Sequence, residues 1–549
     1  MGAESIRVPA RPTPRERHTA SRKVALLLGI TTALVVKPPT ARALDAEAFG
    51  QIRAFHERVP ASFLTTRLTR EPTAAPGAIE RWSGQLFTVG RVWDQPTPGL
   101  VWQIGLDTGL LEVSGAGAFG DGRDLGRHAA ETLFIGETFV DVQPYRDGRL
   151  VLRAGKLRPR FGRGAIFDAY AFGALADLDL RYTEGAPPVA FRAWGGLPSG
   201  RFNDELKSSP LFNARVTIEP KRGLELSLLG ALFLDRDDAL APTVSRALIR
   251  RTSSLWDGPS AVGNFVFDRL ATTIGEQTGT RGTVGWLGGD VGWRRGRWRV
   301  QLTGIAAVGT VETSLDVAGT EADLARLRSG LDLIAVTQIE DPVARRERLI
   351  ANAAGVRQLQ GRLERGIDDV RRDLLAGFVL LEAAAPVLQA VDLEGFFVWS
   401  SGEDGAAFLD SSDRLSSFPS VAPLLPLTDI FFGGSTAPSQ QTPSFSSLAP
   451  DGSGVLGAGL GPRAVLGPFD LSALVAVLWS DVPPPDREGD RFYGVEVDAS
   501  VTWFFARNFH AFVRGGYLAT GDYFGDAPAA VQGFGGLGVD ASTVRGLWD

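Results

Sequence analysis

The sequence predicts an all-β fold, a large antiparallel transmembrane β-barrel of about 16–18 strands. Three observations support this fold class. Polar and apolar residues alternate with a period of two in many segments, aromatic residues mark the ends of the apolar faces, and an export signal precedes the first strand. The chain has 549 residues, which is long enough for several soluble domains or for one large barrel.

The N-terminus has the order of a secretory signal peptide. A basic region precedes the 13-residue apolar run VALLLGITTALVV at 24–36, and small residues follow at Ala41 and Ala43. An apolar run of this length is too short to span a bilayer comfortably as a helix. We therefore predict that residues 1–43 are removed after Ala43 and that residues 44–549 form the barrel. The alternative is a buried or membrane-anchoring N-terminal helix.

The stretch RFYGVEVDASVTWFF at 491–505 shows the strand pattern most clearly. Its odd positions from Tyr493 to Phe505 are apolar and end in aromatic rings, whereas Glu496 and Asp498 occupy even positions. Alternate side chains of a strand point to opposite faces, so one face is apolar and the other polar. A soluble β-sandwich gives the same alternation. The signal peptide, the aromatic strand ends and the number of strands favour a barrel whose polar face lines the lumen.

Further hairpins surround the short turns KRG at 221–223, RRGR at 294–297 and ARN at 506–508. On parity, their polar faces carry the cations Arg215, Arg299 and Arg514. The best candidate for a spanning helix, 374–391, contains Glu382 and Pro386. A carboxylate in mid-membrane is unfavourable, so we interpret this segment as a helix end that runs into a strand.

Two regions interrupt the strand pattern. Residues 321–375 have apolar side chains every three or four positions, which predicts a helical insertion within the barrel. This insertion is either a helical hairpin packed on a loop or rim, or an element that plugs the barrel or docks a partner. Residues 402–454 are rich in Ser, Pro and Gly and predict a long loop, either functional or disordered, into which PLLPLTDIFF folds back.

A basic ladder follows in VLRAGKLRPRFGRG at 151–164. Its cations are Lys156, Arg158, Arg160 and Arg163. If Leu157 and Phe161 face lipid, the first three cations lie on the lumen side, about 7 Å apart. Charged side chains in a row set ion selectivity in pores, and these cations would attract carboxylates. Alternatively, they pair with lumen acids such as Glu496 and Asp498 in a purely structural network.

Three stretches of the chain resemble alginate-export-type outer-membrane porins. They are RAGKLRPRFGRGAIFDAYAFGALADLDLRY, FVWSSGEDGAAFLDSSDRLSSFPSVAPL and YGVEVDASVTWFFARNFHAFVRGGYLATGDYFG. The resemblance implies an outer-membrane porin or exporter in contact with lipid, which passes anionic polysaccharide or small carboxylated solutes. Whether it works alone or with a periplasmic export partner is left open by the sequence.

Carried over to this chain, the resemblance implies that the ladder cations form the substrate track. Glu496 and Asp498 are their implied counter-charges. On parity alone, the three strand cations join this track. They are Arg215, Arg299 and Arg514.

Composition excludes several other classes of function. The chain has no Cys and four His, so disulfides and thiolate metal sites are excluded, and we predict neither metal nor cofactor. A net charge of −6 with scattered basic residues argues against nucleic acid as a partner. His510 lies on a strand without an obvious Ser partner, so we predict no enzyme. The alternative function is a β-barrel anchor in a cell-envelope machine or polysaccharide secretion complex, whose helical insertion docks a partner.

Overall fold

The computed structural model describes most of the chain from residue 45 onward. The described residues are 45–60, 78–97, 99–116, 134–145, 149–181, 188–198, 209–236, 238, 240, 278–315, 343, 370–403, 414–421, 423, 425–432, 452–483, 489–524 and 528–540. The predicted signal peptide lies outside them. The predicted helical insertion also lies outside them, except for Val343 and the last six positions.

The described residues form strands almost throughout. These are β1 (Asp45–Pro60), β2 (Ala78–Thr97), β3 (Leu100–Ala116), β4 (Phe134–Ile135), β5 (Thr138–Val142), β6 (Leu150–Leu157), β7 (Arg160–Phe161), β8 (Phe167–Asp168), β9 (Ala171–Asp179), β10 (Val189–Pro198), β11 (Leu211–Lys221), β12 (Leu224–Asp235), β13 (Thr278–Arg295), β14 (Trp298–Leu315), β15 (Val370–Leu388), β16 (Val391–Ser400), β17 (Val455–Leu466), β18 (Phe469–Trp479), β19 (Phe492–Ala506), β20 (Phe509–Thr520) and β21 (Ala530–Asp540). Short 3-10 helices span Gly162–Gly164 and Asp522–Phe524.

These strands close into one antiparallel ring. Each strand pairs with the next, and β21 pairs with β1 from Phe49↔Asp540 to Arg58↔Val531. Because β4 and β5 follow one another along β3, and β7 and β8 form a separate small sheet, the described ring has 18 strand positions. Closure pairs the edges that an open sheet would leave free. The prediction of a large antiparallel barrel is confirmed.

The two rims of the barrel differ in the length of their connections. One rim has two-residue turns, among them 222–223, 296–297 and 507–508, and we call it the short-turn rim. At the opposite, long-loop rim, the connections include 158–170 and 401–454. Strand β1 begins and β21 ends at the short-turn rim. Among the described residues, no helix is long and apolar enough to cross a membrane.

The outer wall of the barrel is apolar around the ring. Large aliphatic side chains are exposed on most strands, among them Ile52, Ile104, Leu152, Leu228, Leu287, Val308, Leu375, Leu460, Val475, Val501, Val513 and Leu537. In β11 the exposed Phe212 and Val216 alternate with buried Asn213 and Thr217, as the two-residue period predicts. The polar face therefore points into the lumen and the apolar face points outward.

The lumen contains a second, apolar core. Two connections from the long-loop rim fold into the barrel, and we call 158–170 the first inward segment and 414–432 the second inward segment. Their buried apolar side chains belong to one cluster with residues of β5, β6 and many strands from β9 to β21. Phe418 of the second segment, for example, lies with its ring centroid 5.4 Å from that of Phe378 on β15.

This filled interior corrects one prediction. Residues 370–388 form strand β15 from end to end, so neither the end of the helical insertion nor the start of 374–391 is helical in the described chain. Leu374, Ala376 and Phe378 are buried inside, while Leu375 is exposed on the outer wall. Because both faces of β15 are covered by apolar surroundings, its sequence lacks the polar alternation that marks a strand.

A bulge corrects a second prediction. Tyr493 was expected on the outer, apolar face with Val497, but its side chain is fully buried and its hydroxyl donates to Gly454 O at 2.9 Å. The register shifts between Leu478 and Trp479, opposite Gly494, which has a φ of 141°. An inserted residue reverses the facing of every side chain beyond it, so Tyr493 turns inward.

Candidate functional site

The first inward segment crosses from β6 to the far wall. Gly162 and Arg163 adopt positive φ angles of 56° and 59°, which turn the chain sharply. A Cβ at Gly162 would lie 2.6 Å from Ile305 Cδ1 on β14, so any larger residue there would have to displace the Ile305 side chain. The Arg163 guanidinium then pairs with Glu382 on β15.

The second inward segment continues this crossing. Ser420 Oγ donates to Ala165 O at 2.6 Å, and Val421 N donates to Ile166 O at 3.0 Å. Trp286 Nε1, on β13, donates to Pro419 O at 3.1 Å. These bonds join the two segments inside the lumen.

Two acids on β19 hold the other end of the second segment. Glu496 accepts bonds from Thr428 Oγ1 at 2.8 Å, from Phe431 N at 3.0 Å and from Ile430 N. Asp498 Oδ2 accepts a bond from Asp429 N at 3.1 Å. Both side chains are buried. The sequence predicts both acids to be counter-charges to the basic ladder. In the structure they instead accept hydrogen bonds from the Thr428 hydroxyl and from backbone N–H groups of the second inward segment.

The joined segments form a bridge across the lumen and separate two kinds of wall. On one side, β10–β16 present apolar and aromatic side chains, including Trp194, Phe233, Trp286, Ile305 and Phe378. On the other side, β20, β1, β2 and β6 present arginines. They are Arg53, Arg91, Arg153 and Arg514. Within the described chain, no member of the apolar cluster comes from β1, β2 or β3.

Arg158 and Arg160 lie on the first inward segment and share one carboxylate. Arg158 Nε lies 3.0 Å and Arg160 Nε 3.4 Å from Asp168. Burial raises the pKa of the Asp168 carboxyl above its ordinary value, while the two guanidinium groups oppose that rise. The Arg160 side chain is 48% exposed, so a solute can reach it.

The charged wall supports Arg158 from behind. Glu137 Oε1 accepts a bond from Arg158 N at 3.1 Å, and Glu137 Oε2 lies 3.4 Å from Arg91. Arg91 also pairs with Glu47 at 3.0 Å. Farther along this wall, Arg153 and Asp141 form a two-bond pair at 2.6 and 2.7 Å.

Lys156 does not join this group. It is 3% exposed, and by alternation it lies on the same face of β6 as the exposed Leu152 and Ala154. Its Nζ lies 5.3 Å from the ring centroid of Tyr170 and 5.8 Å from that of Phe172. The ladder was predicted from the alternation of side chains along one strand. Strand β6 ends at Leu157, where the chain leaves the barrel wall, so this alternation does not relate Lys156 to Arg158 and Arg160.

The faces predicted for the apolar partners of the ladder are also wrong. Leu157 and Phe161 were expected to face lipid, and both are buried in the apolar cluster inside the barrel. The Phe161 ring centroid lies 5.4 Å from that of Trp194. Because the first inward segment folds into the lumen, Leu157 and Phe161 face the inside of the barrel and not the lipid.

The cations nominated on strand parity lie inside the barrel, each beside an acid. Arg215 lies 3.2 Å from Asp290 and donates to Ser227 Oγ at 3.0 Å. Arg299 pairs at 2.8 Å with Glu394 near the short-turn rim. The remaining pair joins Arg514 on β20 to Asp429 of the second inward segment.

Sequence reasoning missed several residues of the charged wall. Arg53, Arg91, Arg153 and Asp141 lie on strands whose alternation could have placed them in the lumen. Asp168 and Asp429 lie in inward segments, and their positions depend on tertiary contacts that no local pattern encodes.

His510, the histidine considered for catalysis, lies among aromatic rings. No group of three or more His, Asp or Glu side chains is arranged to hold a metal ion in the described chain. His510 is buried, and its ring packs between those of Phe504 and Phe512, both with centroids 5.8 Å away.

Comparison with known proteins gives structural similarity alone. No family model matches the chain, and no curated protein matches it. A BenF-like porin from Pseudomonas fluorescens Pf-5 is similar with a TM-score of 0.43 and 10% identity, and the alignment covers 90% of this chain and 99% of that chain. OccK9 (OpdG) of Pseudomonas aeruginosa has a TM-score of 0.42 and 12% identity, covering 90% and 98%. OccK2 (OpdF) of the same species, in complex with glucuronate, has a TM-score of 0.40 and 10% identity, covering 90% and 98%. At these identities and TM-scores, the matches assign neither a family nor a substrate.

Proposed function

We propose that this protein is an outer-membrane channel for small anionic solutes. The closed ring satisfies its own backbone hydrogen bonds, which hydrocarbon requires of any spanning structure. Its exterior is apolar around the ring, and it has short turns at one rim and long connections at the other. This combination is typical of outer-membrane barrels and supports that location.

The observation that carries the anion preference is the sharing of Asp168 by Arg158 and Arg160. Two guanidinium groups face one buried carboxylate, and the Arg160 side chain is half-exposed. A guanidinium offers paired N–H donors that match a carboxylate or phosphate of a solute. Arg153 and Arg514, each ion-paired with an acid, and the buried Arg53 place further guanidinium groups along the charged wall.

The bridge favours small solutes over a polymer. Hydrogen bonds join the two inward segments to each other and to opposite walls, so they divide the lumen. A polysaccharide exporter of the alginate-export type needs a continuous passage for a chain, and the bridge would have to move to provide one. The resemblance to that type remains a sequence-based prediction.

The anchor function is the second candidate. It depends on the predicted helical insertion at 321–375 as a docking element and predicts a barrel without conductance. The charged wall favours the channel, because an anchor has no need for arginines facing the lumen. A channel also needs no periplasmic export partner.

Ion conductance in planar bilayers tests the proposal. We expect the wild-type protein to conduct with anion preference, measured as the reversal potential in a potassium chloride gradient. Replacing both ladder arginines, R158E with R160E, should weaken or reverse that preference because it inverts the charge beside Asp168. The matched control is R299E, since Arg299 is ion-paired near the short-turn rim.

Two results would count against the channel. Absence of conductance from correctly inserted wild-type protein would favour the anchor. Conductance with unchanged selectivity in the double variant would remove Arg158 and Arg160 from the solute path.

A further inference from the structure

Two neighbouring turns at the short-turn rim concentrate positive charge. The β11–β12 and β13–β14 turns lie side by side, and Arg294 N donates to Gly223 O at 2.7 Å. Together, the segments 219–225 and 293–299 contain six cationic and two acidic residues. Such an excess is local, because the whole chain has a net charge of −6.

Both acids of these segments already have partners. Glu219 Oε1 accepts a bond from Gly223 N at 2.9 Å, which braces the first turn. Glu225 lies 2.9 Å from Arg181, on the neighbouring β9–β10 connection.

The cations of these segments fall into two groups. Arg297 pairs with Asp392 at 2.7 Å, and Arg299 pairs with Glu394 at 2.8 Å. Lys221, Arg222, Arg294 and Arg295 are exposed and have no ion pair within the described chain. Positive charge thus remains uncompensated at these four positions, which differ in the face of the barrel that they occupy.

Arg295 points toward the outside of the barrel. Along β13 the exposed, outward positions are Leu287, Val291 and Trp293, and Arg295 continues this alternation. Its cross-strand partner is Trp298, whose side chain is also exposed. By contrast, Arg294 lies opposite Arg299, whose side chain pairs with an acid inside the barrel.

An outward cation beside two indole rings fits the boundary between acyl chains and headgroups. Tryptophan is enriched at this boundary because its ring is apolar and its N–H is polar. Basic clusters directly outside the hydrocarbon attract anionic lipid headgroups, and guanidinium groups bind phosphate through paired hydrogen bonds.

We propose that Lys221, Arg222 and Arg295 form a binding site for the phosphate headgroup of an anionic phospholipid. Trp293 and Trp298 lie against its glycerol backbone and upper acyl chains. This proposal rests on the proposed membrane location of the barrel. A lipid is favoured over an acidic protein because Arg295 shares its face with the apolar wall and not with the end of the barrel.

Native mass spectrometry of the full chain in neutral detergent tests this site. The probes are phosphatidylglycerol and phosphatidylcholine with the same acyl chains. We expect the wild-type protein to retain several-fold more phosphatidylglycerol. The R295Q variant should lose most of that excess, and K221Q with R222Q should reduce it further.

Arg294 provides the matched control, because it is the adjacent arginine on the opposite face of the same strand. The R294Q variant should retain phosphatidylglycerol like the wild type. Folding of each variant is checked by heat-dependent migration in gels, so that a misfolded barrel is not scored as loss of binding.

Three outcomes would overturn the lipid site: equal retention of the two lipids, an equal loss in R294Q and R295Q, or displacement of the lipid by an acidic peptide. Because retention is measured in detergent, these outcomes are distinct from failure of the channel itself, which would appear as absent conductance in bilayers.

Discussion

The two sides of the bridge use the same kind of β-strand but carry different side chains on the inner face. On the apolar side, β10–β16 bury aromatic and aliphatic side chains against the inward segments. On the charged side, β20, β1, β2 and β6 hold arginines, most of them beside carboxylates. The comparison shows where the inner wall takes up large apolar side chains. Where the inward segments cover it, such side chains are frequent, and polar ones are paired, as Thr303 is with Asp290 at 2.6 Å. On the charged side, the described parts of β1, β2 and β3 contribute nothing to this apolar cluster.

We expect the largest effect on the separation of the two sides when the second inward segment is detached from the barrel wall. Its anchor is Glu496, which accepts three hydrogen bonds from residues 428–431. E496A leaves these buried donors without their acceptor, at about 1–3 kcal/mol for each unsatisfied group. We expect a loss of several kcal/mol in the free energy of unfolding, measured by urea titration, and a larger single-channel conductance as the bridge loosens.

Glu394 supplies the control for this prediction. It is a partly exposed acid on β16, and its ion pair with Arg299 should be worth no more than about 1 kcal/mol. If E394A and E496A shifted stability and conductance equally, the buried anchor would have no special role in the division of the lumen.

Packing on the apolar side gives the next largest effect. Phe418 is 1% exposed and packs on Phe378, so F418A leaves a cavity in a close-packed interior. Phe→Ala substitutions in cores typically cost about 3–5 kcal/mol, and we expect a loss in that range by urea titration. F505A on the exposed outer wall is the matched aromatic control and should cost less. Equal losses would indicate that the lumen side is not a packed core.

The fold could be predicted from those strands in which apolar and polar residues alternate in the sequence. In β11 the exposed Phe212 and Val216 alternate with Asn213 and Thr217, and such strands indicated both the fold class and the approximate strand number. The prediction was wrong for β15, where Leu374–Phe378 is apolar on both faces because the inward segments cover the lumen side. A helix and a doubly buried strand look alike in a short apolar run.

The candidate site was predictable in composition but not in arrangement. Arg158 and Arg160 were nominated from the sequence, and the structure places both beside Asp168, an acid that was not nominated. Lys156, in the same motif, lies on the other face, because strand parity does not continue beyond the end of β6. The role of Glu496 was missed because its partners, two backbone N–H groups and the Thr428 hydroxyl, lie 65 to 68 residues away in the sequence.

The smallest predicted effect concerns pH at the charged side of the bridge. Burial raises the pKa of Asp168 above the ordinary aspartate pKa of 3.8, so its carboxyl takes up a proton at a higher pH. As pH falls through that raised value, Arg158 and Arg160 lose their shared negative charge. We therefore expect the anion preference, measured by reversal potential, to rise modestly as pH is lowered from neutral toward about 4.

The substitution D168N separates this effect from the titration of other lumen acids. The amide that replaces the carboxyl is neutral at every pH, so the variant should show the stronger anion preference already at neutral pH and a smaller change on acidification. The control is D392N, which removes an acid paired with Arg297 at the short-turn rim. Since the folded state binds the Asp168 proton more tightly than the unfolded state, acidification between the two pKa values should also stabilise the wild type slightly relative to D168N. A pH response of selectivity in D168N as large as that of the wild type would mean that other carboxylates set the charge at the ladder, and the contrast between the two sides of the bridge would then rest on packing alone.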